Sequence, residues 1–407
     1  MTPHFNYIGS MNTLEPMQLT GRNFVRWCGR RLVHFSGCDY FRLASHPAVL
    51  KAAAIGLKKF GLNVAASRLT TGHHPIYEHL ETQLAKFFGA PDALLVSGGY
   101  PTSTIVAQAL AGDFAYVLMD ERAHPALQDA AAHFGCPILK FKHRDAADLQ
   151  LTVARCGRGS RLIVLTDGMF SHDGSAAPLK AYLKVLPRDA QLLVDDAHGA
   201  GVLGATGKGT LEHAGVGRQR IIQCVTLSKA FGVYGGAVLG TRELREKILA
   251  RSRAFIGCTP LPPPLAKAAL SSVKILSRGG KLRARLHGNA DYVKAALRRA
   301  GFERTATRHP ATPLPALSSP SEGEERSGCR GVVHGEGLPG PIIAIHPRSE
   351  AETRALRRRL LAAGIYPPFL KYAGAETGFF RFVISSEHTR AQLDALVAVL
   401  TAGQLPG

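Results

Sequence analysis

Short apolar runs separated by amphipathic stretches dominate the chain between residues 93 and 240. ALLVS (93–97), AYVLMD (115–120), PILKFK (137–142), RLIVLTD (161–167), QLLVDDA (191–197), IIQCVTLS (221–228) and GAVLG (236–240) predict seven strands. Between most of them lie helical patterns such as HPALQDAAAHFG (124–135), with apolar residues at helical spacing. Strands apolar on both faces, alternating with helices, predict an α/β fold: a large, mostly parallel sheet flanked by helices on both sides. In such sheets ligands bind at the carboxyl ends of the strands.

The run PLPPP (260–264) interrupts this alternation. Beyond it the pattern predicts helices at 265–276 and 283–300, a strand at 342–346, a helix, a strand at 379–385 and a last helix at 390–400. Few strands with several helices imply a smaller α+β unit. The expected division is an N-terminal segment over 1–45, a large domain over 46–258 and a small C-terminal domain over 259–407. Residues near 305–340, which include ATPLPALSSPSEGEERSG, read as a flexible surface insertion.

Composition changes this picture little. The chain of 407 residues is 45% hydrophobic and 20% charged, and contains no apolar run of membrane-spanning length. Its net charge of +20 is spread out, partly over solvated helix faces such as ETRALRRRLLAAG (352–364), and no nucleic-acid motif accompanies it. No nucleic-acid partner and no membrane span are therefore expected. Seven cysteines without a C-x-x-C pair argue against a zinc site or a disulfide framework; no metal is expected. The N-terminus lacks a basic segment followed by an apolar one, so the cytoplasm is the expected location.

The decisive chemistry is a lysine and an aspartate. Lys229, in VTLSKAFGVYGGAVLG, follows by 34 positions Asp195 in LLVDDAHGAGVLG, and each stands at or just after the end of an apolar strand. Pyridoxal 5'-phosphate needs a lysine for a Schiff base and an acid that keeps the ring nitrogen protonated, so that the ring can accept electrons. Its phosphate needs hydroxyl and backbone N–H donors, which Thr226 and Ser228 offer. Ser171 and His124 also fall at or just beyond strand ends.

The motifs CDYFRLASHPAVLKAA, AASRLTTGHHPIYEHLE, SGGY, DERAH, DGMFSHDGSAAPL, VDDAHGAGVLG, TLSKAFG, GCTPLPP and FRFVISSEHT follow one another from Cys38 to Thr389. In kind and order they resemble the α-oxoamine synthases, pyridoxal-phosphate-dependent enzymes of fold type I that include 8-amino-7-oxononanoate synthase, glycine C-acetyltransferase and serine palmitoyltransferase. The resemblance implies a homodimer that joins an amino acid to an acyl thioester, carried by CoA or by an acyl carrier protein, with loss of carbon dioxide. The 8-amino-7-oxononanoate synthase type is the best single match. It implies that Lys229 binds the cofactor and moves protons, Asp195 pairs with the ring nitrogen, and His198 reaches the phenolic oxygen and the acyl group. His124 would stack on the ring and Ser171 would bond the phenolic oxygen. Gly99, Tyr100 and Thr226 would hold the phosphate, with Thr259 from the partner subunit. Arg381 would bind the substrate carboxylate, with Lys371 as a second cation.

Several positions depart from the family pattern. Cys38 replaces an Asn, Phe41-Arg42 a Leu-Gly, Thr102 an Asn and His172 a Met, and Lys371 stands where an arginine is usual. His34, His73, His74 and His143 read as structural. GATGKGT (204–210) mimics a nucleotide loop but lacks its spacing. An aminotransferase or an aldolase-like lyase of the same fold would use the same lysine and aspartate without a thioester, and remains an alternative, as does a non-catalytic binding protein.

Overall fold

The computed structural model describes residues 15–302, 332–334, 338–371 and 377–402. Three short strands open it: β1 (Met17–Leu19), β2 (Phe24–Trp27) and β3 (Arg30–His34). Their hydrophobic alternation is too short to register as strands in the sequence, and they were not expected. Helices α1 (Pro47–Phe60) and α2 (Pro75–Phe88) follow, then β4 (Asp92–Val96), α3 (Pro101–Ala109), β5 (Tyr116–Asp120), α4 (Pro125–Ala131) and β6 (Ile138–Phe141). The chain continues through α5 (Ala146–Arg155), β7 (Leu162–Asp167), α6 (Leu179–Val185), β8 (Gln191–Asp195), α7 (Thr210–Ala214), β9 (Ile221–Thr226) and β10 (Gly236–Gly240). All seven expected strands of the large sheet are present, displaced by at most two residues at either end.

Three of these helices start the same way. His46, His74 and His124 each precede a proline at the first helical position, and each Nδ1 accepts the amide two residues on, at 3.1–3.2 Å. Proline costs nothing there because its missing N–H is one that a helix start leaves unpaired anyway, and the imidazole replaces the usual Ser or Asp cap.

The large sheet has the order β4-β10-β9-β8-β7-β5-β6. β5 to β9 pair in parallel, whereas β10 runs antiparallel to both β4 and β9. One edge of the sheet therefore collects the ends of β4, β5, β7, β8 and β9 together with the start of β10: Gly236 faces Thr226 on one side and Val96 on the other. The central strands β7, β8 and β9 are buried along nearly their whole length, which is what helices on both faces require.

After β10 come α8 (Arg242–Arg251), α9 (Arg253–Ile256), α10 (Pro263–Ser277) and α11 (Gly280–Arg299). The last part contains β11 (Val332–His334), β12 (Ile342–His346), α12 (Glu350–Ala362), β13 (Ile365–Tyr366), β14 (Phe369–Leu370), β15 (Phe379–Val383) and α13 (Arg390–Thr401). Most of the sequence read as an insertion, 303–331 and 335–337, lies outside the described residues. α10 packs against α1 and α2, and its Ala266, Ala269 and Leu276 join the core under the large sheet. A second core is built from Val293 and Leu297 of α11, Phe380 and Phe382 of β15, Leu393 and Leu396 of α13, and Phe35 just after β3. β3 pairs in parallel with β13, so the first strands of the chain belong to the smaller sheet system.

Two buried histidines stitch that junction. His388 donates from Nε2 to the carbonyl of His34 (3.1 Å) and accepts the Ser385 amide at Nδ1 (3.0 Å), while its ring lies on Phe35. Burial, followed by the charge of Arg42, pushes the His34 pKa down to about 4 and that of His388 to about 3, from an ordinary 6.5. Both are neutral in the fold and would protonate in the unfolded chain near pH 6.5. The unfolded state then binds more protons, and each histidine's contribution, complete above pH 6.5, is lost as pH falls, by about 1.4 kcal/mol per unit. In urea titrations at pH 7 and pH 5, His388→Gln is expected to lose markedly less of its stability on acidification than the parent does. Equal losses would remove His388 from the account.

Candidate active site

Asp195, Asp167, His124 and Lys229 stand at or just beyond the edge where the strands of the large sheet end, whereas Arg381 comes from β15 of the smaller sheet. Asp195 closes β8, nearly buried, and its Oδ1 accepts the Ala197 amide at 3.0 Å. Beside it on the parallel neighbour β7, and in register, stands Asp167. Burial raises the Asp167 carboxyl well above the carboxylate range, and the adjacent Asp195 raises it further. Its Oδ2 accepts the His124 amide (2.8 Å), so it anchors the start of α4 and with it the histidine ring. The next residue after Asp195, Asp196, is fully buried. It accepts bonds from the Thr210 hydroxyl and amide (2.6 and 2.8 Å) and from Gln223 (2.6 Å), and burial lifts its pKa to about 6. It ties the loop after β8 to β9 and thereby fixes Asp195.

Lys229 follows β9 by three residues. The Lys229 carbonyl accepts the Gly232 amide (2.9 Å), which closes the turn that presents the side chain. Gly232 has φ +63° and lies so close to the backbone of residues 43 and 44 that a Cβ would stand 2.3 Å from the Ala44 nitrogen. The lysine turn is therefore seated directly on the segment that contains Cys38 and Tyr40. In that segment Arg42 occupies the left-handed region (φ 53°), which explains why a glycine is usual there. Its buried guanidinium reaches Asn23 Oδ1 (3.3 Å) and the His34 carbonyl (3.4 Å), contacts that help offset a backbone strain of about 1 kcal/mol.

The electrostatics are those of one shared cavity. Burial pushes the Lys229 ammonium below its ordinary pKa; the side chains of Cys38, Asp195 and Asp167 act in the opposite direction, and Arg381 adds to the depression. His124 is pushed down by burial, with Asp195 opposing and Lys229 and Arg381 reinforcing the shift. His198 is held well below the ordinary value by burial and then by Lys229, Arg381, His124 and His172. Lys229 and Arg381 thus act on both His124 and His198, while Asp195 acts on Lys229 and His124.

The remaining expected residues occupy the rim. The Ser171 carbonyl accepts Arg381 Nη1 at 3.2 Å. Tyr100 is half exposed, with its ring edge-on to His124 and its hydroxyl on Asp129. Thr259 is exposed beside Cys258, whose thiol lies 3.4 Å from Ser97 Oγ. Lys371 lies exposed beyond the end of β14 and is not among the charges that act on Lys229 or His198. His143, read as structural, bonds Asp120 (2.9 Å) and packs its ring on Phe170.

Sequence reasoning missed Asp167, Asp196 and Tyr40. Asp167 could have been found: it closes the apolar run RLIVLTD, at the kind of strand end where ligands bind. Tyr40 could not, because an aromatic between two apolar runs reads as core.

The sequence matches the family described as aminotransferase class I and II over residues 33–400. It is 34% identical to the 8-amino-7-oxononanoate synthase of Thioalkalivibrio sulfidiphilus, over 91% of this chain and 88% of that one. It is 35% identical to the enzyme of the same name from Methylococcus capsulatus, over 91% and 89%. The chain belongs to the aminotransferase class I and II family, as an α-oxoamine synthase. Among solved structures, a serine palmitoyltransferase with a pyridoxal phosphate internal aldimine superposes with a TM-score of 0.83 at 25% identity, covering 95% of this chain and 92% of that one. The 8-amino-7-oxononanoate synthase of Francisella tularensis, at 24% identity and TM-score 0.73 over 91% and 97%, shares the fold. The architecture is the pyridoxal-phosphate-dependent transferase fold type I.

The residues of this α-oxoamine synthase fit that cofactor. A Cβ on Gly99 would lie 2.5 Å from Thr226 Oγ1, so the bare backbone of Gly99 passes directly beside the threonine hydroxyl. The first turn of α3 begins two residues on; Pro101 has no N–H and the Thr102 amide bonds the Gly99 carbonyl (3.2 Å), so what this helix start offers a phosphate is the amides after Thr102 and the positive end of the helix. Asp195 is an acid of the kind that a ring nitrogen needs, and Lys229 an amine of the kind that a Schiff base needs.

Proposed function

We propose that this enzyme condenses an amino acid with an acyl thioester, releasing carbon dioxide and the thiol and forming an α-aminoketone, as in 8-amino-7-oxononanoate synthesis. The carbon skeleton of that product defines the substrates. Its amino carbon and terminal methyl derive from alanine after decarboxylation, and its remaining seven carbons from a dicarboxylic acyl group. The observation that carries the reading is the gathering of Lys229, Asp195, His124 and His198 at one sheet edge, with Arg381 of β15 close enough to act on Lys229, His124 and His198, in a chain about a third identical to enzymes of that name.

Pyridoxal phosphate, held by Lys229, Asp195, His124, Ser171, Gly99, Tyr100 and Thr226, supplies an electron sink that acidifies the α-hydrogen of the amino acid. The Lys229 amine, kept toward its neutral form by burial, takes that proton. Arg381 binds the carboxylate of the incoming amino acid. His198 donates to the oxygen that becomes negative when the acyl carbonyl is attacked.

The enzyme is proposed to act as a homodimer in the cytoplasm. The exposed Leu50, Ile55 and Leu57 of α1, with Leu62, Leu69 and Tyr234, supply apolar surface for a second copy, to which Thr259 would contribute. The six described cysteines are all free, as a reducing compartment requires.

The test is a matrix of alanine, glycine and serine against 6-carboxyhexanoyl, acetyl and palmitoyl thioesters, following thiol release. Alanine with the seven-carbon diacid should be fastest by at least about tenfold. Turnover of an amino acid without thiol release would replace acyl transfer with transamination or lysis. Sedimentation of the same sample as a monomer at assay concentration would remove the dimer.

A further inference from the structure

Tyr40 has no role in the reading above, yet it makes a contact that bears on the chemistry. Its side chain is fully buried and its hydroxyl lies 2.8 Å from His198 Nδ1, with the two rings edge-to-face at 6.3 Å. The Tyr40 carbonyl accepts the Ser386 amide (2.9 Å), so the tyrosine is clamped from the smaller core as well. From the structure we infer that Tyr40 is a positioning residue that fixes the tautomer of His198, placing the imidazole proton on Nε2. The inference rests on the role proposed above for His198.

The argument is an accounting of protons. His198 is buried and faces Lys229, Arg381, His124 and His172, so it stays neutral and carries one ring proton. A fully buried phenol also keeps its proton. Two hydrogens must therefore be placed around Nδ1, Nε2 and the phenolic oxygen. If Nδ1 bore hydrogen and donated to Tyr40, the phenolic hydrogen would be left with the Cys38 sulfur, a weak acceptor. If the phenol donates to Nδ1, both groups are satisfied and the histidine proton sits on Nε2. Of the two ring nitrogens, Nε2 is the one not taken up by Tyr40 and thus the one free to donate to a substrate oxygen. A histidine in the wrong tautomer cannot donate there however well it is placed, as the large rate losses of catalytic triads with a misassigned histidine proton show.

The sequence contains this device only implicitly. Tyr40 and His198 are 158 positions apart and meet because the lysine turn, through Gly232, packs against the segment just after Tyr40.

The experiment uses the holoenzyme labelled with ¹⁵N-histidine, with the His198 resonances assigned by their loss in His198→Gln. In the wild type the shifts should report Nδ1 as an unprotonated acceptor and Nε2 as protonated. Tyr40→Phe keeps the ring packing and removes only the hydroxyl. It should shift the resonances toward a mixture of tautomers and lower kcat by about 10- to 100-fold, with the KM for the amino acid within about twofold of wild type. A wild-type Nδ1–H tautomer, an unchanged tautomer in Tyr40→Phe, or an unchanged kcat would each overturn the inference. If Tyr40→Phe does not fold, 3,5-difluorotyrosine at position 40 strengthens the donor. The Nδ1 resonance must then move in the direction of a stronger hydrogen bond, and a stationary resonance overturns the inference. The tautomer is read without turnover. A wild-type enzyme that forms no aminoketone therefore defeats the proposed function and leaves the tautomer measurement standing by itself.

Discussion

Replacement of Lys229 by alanine is expected to reduce turnover by about 10³-fold or more. The side chain has two tasks that no neighbour can assume. In the proposed reaction it would be both the amine that carries the cofactor and the base that collects the substrate α-proton. Its surroundings are built for the second task. Burial and the nearby Arg381 lower its pKa, while Asp195, Asp167 and Cys38 limit the fall, so that the amine is a usable base without losing the opposite charges that hold it in place. His198 and His124 are close enough to act on its charge, yet both lie under opposing constraints: one is bonded to Tyr40, the other caps α4 through Nδ1. The measurement is borohydride reduction followed by peptide mapping. In the wild type the label should be fixed at Lys229; in Lys229→Ala no covalent label should survive denaturation. A variant that still fixes the cofactor, or turns over within tenfold of the parent, would assign the lysine elsewhere.

Arg381→Ala should weaken amino-acid binding by about 2 kcal/mol, a roughly 30-fold rise in the dissociation constant, because it removes a charge-assisted pair from a partly dry site. The arginine is well placed for this. Its backbone amide is bonded to the Pro368 carbonyl (2.9 Å), and the flanking Phe380 and Phe382 are wholly buried, so the strand that bears it cannot shift. Nη1 is engaged by the Ser171 carbonyl, which orients the guanidinium over the loop that leads to the cofactor. Arg381→Lys keeps the charge but loses the planar fork, and should recover less than half of the lost binding energy. Removing the positive charge should also raise the pKa of Lys229 and of His198, because Arg381 depresses both. The alkaline limb of kcat ought therefore to move in the same variant. Lys371→Ala, at an exposed position, should leave amino-acid affinity within about twofold. Titration of each variant with alanine checks both statements; an Arg381→Ala enzyme with wild-type affinity would transfer the anchor to another cation.

How much of this was visible in the sequence follows from the range of the interactions involved. The large sheet was legible because each strand is a fully apolar run whose identity needs no partner; GAVLG is the strand Gly236–Gly240 to the residue. That this strand runs antiparallel to β4 and β9 was not legible, because the short connection after Lys229 reveals its direction only once the strand neighbours are known. Lys229 and Asp195 could be proposed as cofactor residues because they carry chemistry at strand ends. Asp167, Asp196 and Tyr40 act through other residues, and their partners lie 14 to 158 positions away. The strands at 17–34 went unread for the same reason: their hydrogen bonds lead to one another and to residues beyond 360, and too few of their side chains are buried to leave a period.

The pairing of β3 with β13, and of Phe35 with the core of β15 and α13, has a consequence for how the protein is made. The hairpin strands β1 to β3 can pair with one another as they leave the ribosome, but the outer edge of β3 and the Phe35 side chain have no partner until residues 365–400 have been synthesised. At roughly 5–20 residues per second that interval is about 20–70 s. The large sheet, complete by residue 240, can close within it, whereas the smaller core can only close after nearly the whole chain has emerged. During the wait Val25, Leu32 and Phe35, all buried in the finished fold, are open to solvent and to other chains. Chains stalled or truncated before α13 would keep that surface exposed, so the yield of soluble enzyme depends on the last sixty residues reaching the first thirty-five before another chain does.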